Sequence, residues 1–415
     1  MAEIIVIGGG PAGLSAALIC ARMGLDTTVL EKRTFPVIKA CGEGLMPSGV
    51  NCLKRLVPQE LINKIEYQKF SGIRYIAPNG ECTSGYFGNG DGWGIERSEL
   101  SKLLSRAVEQ EPGIKVFENT IAKVEGSTEQ PIVHFNGKTL RPNLLIAADG
   151  LHSPIRRWAG LNGSTSKLKR WGLRQHYEIV PWTNLVEVYW SKGMEAYVTP
   201  VSPNTVGVAV LSHQELISSL QKPISLKETL QVFKDLGPKL LLSEAKDQLI
   251  GIGPLHQKVK RTGTGRVVLI GDAAGYLDAI TGEGISNAME QALLIDQLLK
   301  KQKEKPSLDE LVMDYSNQLP ALMRRYYWLT RLTLLLHCRP SLVNKVVKVS
   351  QNTPWLFNYL LNLNSARNFS EAASHSLQIH GRSHGRELLK IVIRRSIGKI
   401  GKKSRRRECE YLDPN

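Results

Sequence analysis

The chain of 415 residues has no apolar run long enough to cross a bilayer. A membrane-spanning helix needs about 20 consecutive apolar residues. The longest candidates here are interrupted at Arg324, Arg325, Arg331 and Pro340. We also expect no secretory signal, because the N-terminus leads directly into a glycine loop. These absences predict a cytoplasmic protein that does not span the membrane.

Cysteine is scarce and scattered. None of the six cysteines is part of a Cys-x-x-Cys pair, the spacing typical of structural zinc sites and redox motifs. We therefore predict a reducing compartment, no structural zinc and no metal in the functional site. The sequence also lacks internal repeats and low-complexity linkers, and its 42% hydrophobic content is that of an ordinary globular chain. Its length suggests two or three domains.

The net charge of +16 is concentrated near the C-terminus. Residues 382–407 contain eleven Lys or Arg and one acid, Glu387. On a helix, the apolar and basic residues of this segment would lie on opposite sides: Leu389, Ile393, Ile397 and Ile400 against Arg394, Arg395, Lys399 and Lys402. This pattern favours a membrane surface over nucleic acid or an acidic partner. A solvated tail without a binding role is an equal alternative.

Residues 3–31 have the pattern of one strand, helix, strand unit. The apolar, β-branched run at 3–7 predicts a buried parallel strand. The Ala-rich stretch 14–23 predicts a helix that stops at Gly24, and 27–30 predicts a second strand closed by Glu31.

The loop between the first strand and the helix has the spacing Gly8-x-Gly10-x-x-Gly13. In this context it predicts a dinucleotide site, in which Gly8 allows the tight turn and Gly10 lets backbone amides approach a pyrophosphate. Gly13 then lets the helix pack closely on the strand. Glu31, eighteen residues after Gly13, is placed to accept hydrogen bonds from ribose hydroxyls. A glycine loop that serves only as a turn is the alternative.

Two later segments decide between FAD and NAD. The stretch 147–156, Ala-Ala-Asp-Gly-Leu-His-Ser-Pro-Ile-Arg, resembles a signature of the flavoprotein class that contains aromatic hydroxylases and geranylgeranyl reductases. Gly271-Asp272-Ala273-Ala274-Gly275, followed by 282–285, resembles a second signature of the same class. The resemblance covers roughly residues 3–300 and implies FAD as the cofactor.

The resemblance assigns roles by position. It implies that Asp272 binds the ribityl chain, that 281–285 lies near the flavin pyrimidine edge, and that Arg97 begins a helix beside the cofactor. It also pairs Asp149 with Arg156 in an Asp-Gly motif. Helix dipoles at such a loop stabilise the anion of reduced flavin. The cofactor-binding candidates are Gly8, Gly10, Pro11, Ala12, Gly13, Glu31, Lys32, Arg97, Asp149, Gly150, Gly271, Asp272, Gly282, Gly284 and Ile285.

Three further sequence features are more similar to the reductase branch of that class than to the aromatic hydroxylases. Aromatic hydroxylases usually have His after Gly-Asp-Ala-Ala, where this chain has Gly275. Cys41-Gly42 before a glycine-rich bend is similar to the reductases, as is the segment 195–200, although the usual Trp and Phe of that segment are missing. The segment typical of flavin halogenases is absent. We expect Tyr197 and Pro200 to line the substrate pocket.

Several residues allow two interpretations of their role. Cys41 is a candidate catalytic acid or radical-damping thiol, but a buried cysteine without a role is the commoner case. His152 and His176 are candidate general acids, or ordinary polar residues of a turn and of a sheet. The aromatic stretch 326–359 fits either a lipid-like substrate channel or helical core.

These patterns predict an α/β fold: a Rossmann-type FAD-binding domain, an inserted antiparallel-sheet substrate domain and a helical C-terminal region. The expected FAD-binding domain covers 1–165, with a substrate-side excursion around 67–94, and resumes at 263–300. The alternating pattern of 166–262 predicts the substrate domain, and 301–415 forms the helical region with its basic tail.

The expected activity is reduction of a hydrophobic, isoprenoid or lipid-like substrate by hydride from the flavin. The electron donor would be NAD(P)H or a reduced carrier protein. One alternative is a monooxygenase that hydroxylates an aromatic or lipid ring. Another is a flavin-bearing binding protein whose basic tail anchors a partner or nucleic acid.

Overall fold

The computed structural model describes residues 3–164, 169–219, 224–302 and 307–363. The predicted basic segment 382–407, with its proposed amphipathic helix, lies outside these described residues. Within them, no helix combines the length and the apolar character that crossing a bilayer requires.

The first sheet is parallel except at one edge, and it has the strand order of a doubly wound fold. In sheet order its strands are β19 (Gly263–Thr264), β20 (Val267–Leu269), β12 (Leu144–Ala147), β1 (Glu3–Ile7), β2 (Asp26–Leu30) and β8 (Ile114–Phe117). Only β19 pairs antiparallel. The apolar runs that predict β1, β2, β12 and β20 therefore form neighbouring strands, although more than 100 residues separate β2 from β12 in the chain.

Helices cover this sheet and complete its core. They are α1 (Pro11–Arg22), α2 (Pro47–Leu56), α3 (Gln59–Ile62), α4 (Arg97–Glu109), α5 (Pro154–Trp158) and α9 (Gly284–Lys301). The predicted helix 14–23 begins three residues earlier than expected, because Pro11 suits the first turn, where no backbone N–H is needed. A small antiparallel sheet of β9 (Lys123–Gly126), β10 (Pro131–Phe135) and β11 (Lys138–Leu140) extends this part of the molecule.

The second large sheet is mainly antiparallel. In sheet order it contains β17 (Glu244–Ala245), β13 (Arg170–Glu178), β16 (Thr205–His213), β15 (Met194–Ser202), β14 (Leu185–Ser191), β5 (Gly72–Ile76) and β6 (Cys82–Tyr86), and β18 (Ile250–Ile252) also pairs with β13. The strands β5 and β6 come from the excursion around 67–94, and the others from the segment 166–262. Short helices α6 (Gln214–Ser219), α7 (Leu226–Leu230) and α8 (Gly237–Leu240) lie in the same segment.

The remaining elements connect the two large sheets. A small antiparallel sheet is formed by β3 (Gly44–Leu45), β7 (Gly92–Gly94) and β4 (Gln68–Phe70). The described C-terminal part is helical, with α10 (Leu308–His337), α11 (Pro340–Asn352) and α12 (Pro354–Asn362). Both α11 and α12 pack on β6 of the second sheet. Mixed α/β architecture with a parallel core, antiparallel sheets and C-terminal helices confirms the predicted fold class.

Candidate active site

A cavity of about 1150 Å³ lies between the parallel sheet, the second sheet and the C-terminal helices. The carboxyl ends of β1, β12 and β20 open into it, which is where ligands bind in open α/β sheets. Almost all of the candidate residues from the sequence line this cavity. The exceptions are Gly13, which packs beneath the glycine loop, and Arg156, His176 and Pro200.

The glycine loop has the geometry that its spacing predicts. Gly8 has a φ of +113°, and a Cβ there would lie 2.3 Å from the carbonyl oxygen of Ala148. A Cβ on Gly13 would lie 1.9 Å from the carbonyl oxygen of Gly8. At Gly10, by contrast, a Cβ would meet only the Nη2 atom of Arg97, at 3.9 Å. Gly8 and Gly13 therefore have no room for a side chain, whereas Gly10 faces the cavity.

The N-terminus of α1 is available to an anion. Its N-cap, Gly10, has no capping side chain, and the first turn has no acidic residue. Glu31 lies beside the loop, where one of its carboxylate oxygens accepts a hydrogen bond from the Gly9 amide at 2.5 Å. Unsatisfied N–H groups and the helix dipole both favour negative charge at this position. The neighbouring Lys32 is exposed and lines the cavity.

Arg97 is a buried cation at the edge of the same loop. Its side chain is 5% exposed, and its Nη1 atom has no hydrogen-bond partner among the described residues. Burial lowers the pKa of the guanidinium, and the negative charges of Asp272, Glu43 and Glu31 oppose that shift. An unsatisfied, buried charged group is costly, so Arg97 has the chemistry to hold a phosphate group in this cavity.

We expect Arg97→Met to weaken FAD binding roughly 10- to 100-fold, the range of a lost charge-assisted hydrogen bond. The thermal stability of the cofactor-free chain should not fall, because the replacement removes an unsatisfied charge and keeps the backbone bond from Arg97 N–H to Glu43. Flavin fluorescence titration and thermal unfolding measure the two effects. Arg106→Met on the exposed side of α4 is the matched control, and equal losses in both variants would contradict the assignment.

Arg156 holds together the Asp-Gly motif at 149–150 and the Gly-Asp motif at 271–272. Its Nη2 donates to the carbonyl oxygen of Leu151 at 2.8 Å, and its Nη1 donates to that of Ala273 at 3.1 Å. Asp149 caps the following turn by accepting from the Ile155 amide, and burial raises the pKa of its carboxyl. Arg156 therefore has a positioning role that links two segments distant in sequence.

Asp272 is paired with a residue that the sequence patterns do not indicate. The Nζ atom of Lys39 lies 2.7 Å from a carboxylate oxygen of Asp272, and both side chains line the cavity. Gly271 has a φ of +64°, and a Cβ there would lie 2.8 Å from Ala12 Cβ. Close packing of this turn on α1 places Asp272 at the cavity wall.

A second helix N-terminus also faces the cavity. α9 begins at Gly284, its N-cap Glu283 provides no capping side-chain bond, and its first turn has no acidic residue. Gly282, Gly284 and Ile285 line the cavity next to it. The dipole of this long helix therefore points positive charge at the cavity, as the role implied for 281–285 requires.

Cys41 lies in a loop whose conformation depends on Glu43. Glu43 has a φ of +59°, uncommon for a residue with a side chain. One of its carboxylate oxygens accepts from the Arg97 amide at 2.9 Å, and the other bonds His176 Nε2 at 2.6 Å. The Cys41 sulfur accepts from the Glu43 amide at 3.3 Å. Burial, followed by the charge of Glu43, raises the pKa of the Cys41 thiol.

His176 connects this loop to the second sheet. Its Nδ1 bonds Asp247 at 2.8 Å while its Nε2 bonds Glu43. Burial by itself lowers the pKa of His176, but the hydrogen bonds to Asp247 and Glu43 outweigh burial and raise it to about 9. His176 is therefore a buried, protonated link between two carboxylates, and it does not line the cavity as a general acid would.

We expect this link to make stability depend on pH. Because the folded pKa of His176 exceeds that of an unfolded histidine, its contribution is complete below about pH 6.5 and is lost as pH rises towards 9. The loss should be on the order of 2 to 3 kcal/mol. Denaturant unfolding from pH 6 to 9.5 measures it, and His176→Gln should flatten the curve. His134→Gln, at a half-exposed histidine, should leave the slope unchanged.

The predicted substrate wall is only partly at the cavity. Tyr197 lines it and donates a hydrogen bond from its hydroxyl to the carbonyl oxygen of Ile280 at 2.8 Å. Pro200 is buried in β15 and is not a lining residue; its carbonyl oxygen lies against Gly94 of β7. His152 does line the cavity and bonds the carbonyl oxygen of Gly253 at 3.1 Å.

The part of the cavity away from the glycine loop is apolar. The second sheet contributes lining residues such as Ile73, Val186, Val188 and Leu211, and the C-terminal helices contribute Leu329, Leu332, Leu336, Val346, Leu360 and Leu361. The aromatic stretch 326–359 is divided: Trp328 and Phe357 line the cavity, whereas Tyr326 is buried and bonds the carbonyl oxygen of Asp278.

FAD fits the residues present. An open Cβ position at Gly10, and an Arg97 Nη1 and an α1 N-terminus that no side chain of the described residues satisfies, suit a pyrophosphate. Glu31 and Asp272 are the carboxylates that would accept from the ribose and the ribityl chain, and the N-terminus of α9 suits the pyrimidine edge of the ring. When bound, FAD supplies the redox chemistry of the site.

Comparison with known proteins supports the same cofactor. Residues 1–319 match the family described as FAD binding domain. A digeranylgeranylglycerophospholipid reductase of Thermoplasma volcanium is 30% identical over 347 residues, which cover 78% of this chain and 82% of that protein. A menaquinone reductase of Mycolicibacterium smegmatis is 26% identical over 352 residues, covering 79% and 81%.

Solved structures show the same fold at low identity. A flavin-dependent brominase variant superposes with a TM-score of 0.76 at 17% identity and covers 97% of this chain and 100% of its own. A probable FAD-dependent monooxygenase from Pseudomonas aeruginosa gives a TM-score of 0.70 at 18% identity, covering 83% and 99%. With residues 1–319 matched and the cavity described above, the chain belongs to the FAD binding domain family, and it is an FAD-dependent oxidoreductase similar to the geranylgeranyl reductases.

Proposed function

We propose that the protein reduces carbon–carbon double bonds in an isoprenoid or similar long-chain lipid. The observation that carries this proposal is the continuity of the cofactor cavity with its apolar part, between the second sheet and α10 to α12. A compact aromatic substrate does not need that length of apolar wall. The relatives named as reductases of digeranylgeranylglycerophospholipid and of menaquinone support it.

Reduction of a double bond needs a hydride on one carbon and a proton on the other. Cys41 lines the cavity, and its raised pKa keeps the thiol protonated at neutral pH. We assign Cys41 as the proton donor. Cys41→Ala should then lower product formation while the flavin is still reduced by its donor, and equal product formation in both proteins would remove Cys41 from the reaction.

The activity is tested with the FAD-loaded chain, chemically reduced flavin and prenyl lipids of increasing chain length. Mass spectrometry of the products should show a gain of two hydrogens per reduced double bond. A gain of one oxygen would instead identify a monooxygenase. No turnover of any prenyl lipid would overturn the proposed substrate class while leaving FAD binding intact.

A matched pair of variants on α10 tests the apolar part of the cavity. Leu332→Glu places a charge at a lining residue, and we expect the KM for long chains to rise roughly tenfold or more, because a charge opposes burial of apolar chain. Leu322→Glu is the control, since Leu322 is 38% exposed and does not line the cavity. A short prenyl substrate should be affected less than a long one by Leu332→Glu.

We further propose NAD(P)H or a reduced carrier protein as the electron donor. We also propose that the protein docks at an anionic bilayer through residues 382–407. The eleven basic residues of that segment support the docking. Deletion of 382–415 should reduce co-sedimentation with anionic vesicles at low salt. Unchanged co-sedimentation would end the membrane proposal.

A further inference from the structure

A cluster of metal-binding side chains lies where α10 ends against the second sheet. His337 is the last residue of α10, Cys338 follows it, and His213 is the last residue of β16. One potential ligand atom from each of the three lies within 4.8 Å of the others. These residues are separate from those that line the FAD cavity, so the cluster is not part of the site described above.

The separations suit a tetrahedral ion. Cys338 Sγ lies 3.5 Å from His213 Nε2, and the rings of His213 and His337 have centroids 4.6 Å apart. In a tetrahedral zinc site with ordinary bond lengths, a sulfur and a nitrogen ligand are about 3.6 Å apart and two nitrogens about 3.4 Å. Cys338 Sγ and His213 Nε2 already have this spacing, and a ring nitrogen of His337 lies within 4.8 Å of both.

The burial and the hydrogen bonding of His337 suit a metal ligand. It is fully buried, its Nδ1 is hydrogen-bonded to the carboxylate of Glu195, and its Nε2 has no hydrogen-bond partner in the described part of the chain. A carboxylate on one ring nitrogen is the arrangement that orients metal-binding histidines and makes the other nitrogen more basic. Arg170 donates to the second oxygen of Glu195 at 2.8 Å and fixes that carboxylate.

We propose that His213, His337 and Cys338 bind Zn²⁺, with Cys338 as the thiolate and a water molecule in the fourth position. Two imidazoles and a thiolate favour zinc over magnesium or calcium, which prefer oxygen ligands. The ion satisfies His337 Nε2, which no described residue bonds. Sequence spacing predicts no zinc because the ligands come from distant elements: His213 and Cys338 are 125 residues apart.

The site ties the end of α10 to the second sheet. The Gly193 amide, in the turn between β14 and β15, donates to the carbonyl oxygen of His337 at 3.1 Å, so this end of α10 already contacts that sheet. Leu332 and Leu336, in the preceding turns of α10, line the apolar part of the cavity. Zinc at this position is a structural clamp on one wall of the cavity, remote from the glycine loop.

The test uses the full-length, FAD-loaded chain without a histidine tag. Elemental mass spectrometry after exhaustive dialysis should find about one zinc per chain in the wild type and none at stoichiometric level in Cys338→Ser or His213→Asn. The zinc affinity of these variants should fall at least roughly 10- to 100-fold. Cys82→Ser, at an exposed cysteine on β6, should retain the zinc.

Cobalt substitution identifies the thiolate directly. Difference spectra taken before and after adding Co²⁺ cancel the flavin absorbance and should show a thiolate-to-cobalt charge-transfer band in the wild type and in Cys82→Ser. A band of equal intensity in Cys338→Ser would overturn the proposal. So would a wild-type chain that binds neither zinc nor cobalt, and that outcome does not depend on how the variants fold.

Discussion

Gly10→Val should lower FAD affinity by at least roughly 100-fold, the loss expected when two charge-assisted amide bonds to a pyrophosphate are blocked. The reason is the direction of the new side chain. A Cβ at Gly10 projects into the cavity and meets only Arg97 Nη2, at 3.9 Å. The cofactor-free protein should therefore melt within about 2 °C of the wild type, since the new Cβ displaces no atom of the described residues.

Gly13→Val is the contrasting variant. Its Cβ would lie 1.9 Å from the Gly8 carbonyl oxygen and 3.1 Å from Ala148 Cβ, so α1 must move away from β1. Overpacking of this kind costs about 1 to 3 kcal/mol or more. We expect Gly13→Val to lose both FAD binding and thermal stability, whereas Gly10→Val loses binding alone.

Flavin absorbance after gel filtration, fluorescence titration with FAD and thermal unfolding of the cofactor-free chains separate the two cases. A Gly10→Val protein that binds FAD normally would contradict the position of the pyrophosphate. If both variants lost stability equally, the distinction between a packing glycine and a cavity-facing glycine would be wrong.

Local sequence patterns predict the first part of the site because the residues that form it are adjacent in the chain. The segment 3–31 contains its strand, glycine loop, helix and terminal acid in one unit, and β1, α1 and β2 form as expected. The parallel sheet is also predictable in part, since short apolar runs that end in Asp-Gly or Gly-Asp mark the carboxyl ends of β12 and β20.

Contacts between distant residues have no such pattern. Glu43 meets His176 across 133 positions, and Lys39 meets Asp272 across 233, so neither pair is visible as a motif. Glu43 follows the Cys-Gly pair at 41–42, and its left-handed backbone conformation depends on partners from other elements. The position of Pro200 could not be predicted for the same reason. The alternation of apolar and polar residues in β15 predicts a strand, but which face of that strand meets the cavity depends on the neighbouring sheet.

The largest change in folding stability should come from Arg170, which is fully buried. Its Nη2 lies 2.8 Å from Glu195 and its Nε lies 3.0 Å from Asp278, so one cation compensates two buried carboxylates. Arg170→Met leaves Asp278 without its cation, whereas Glu195 keeps its bond to His337. Removing one member of a buried ion pair typically costs about 3 to 5 kcal/mol, and we expect a loss in that range in urea unfolding of the FAD-loaded chain.

Arg22→Met is the matched surface control. Arg22 pairs with Glu111 at 2.8 Å, but its side chain is 36% exposed, and an exposed pair contributes about 0 to 1 kcal/mol. Comparable losses in the two variants would contradict the buried position of Arg170. Adding Glu195→Gln and Asp278→Asn to Arg170→Met should recover part of the stability, because neutral side chains do not need the missing cation.

The pH dependence of Arg170→Met provides an independent check. With Arg170 present, its charge and that of His337 hold the pKa of Glu195 below its usual range, although burial raises it; burial already raises the pKa of Asp278. Without Arg170, the pKa of Asp278 rises further above that of the unfolded chain, and the pKa of Glu195 also rises, although His337 still lowers it. The deficit should then be largest at neutral pH and shrink as pH falls towards about 4, where unfolded carboxyls also take up protons. A deficit that stayed the same at all pH values would show that Arg170 stabilises the fold through packing and not through charge.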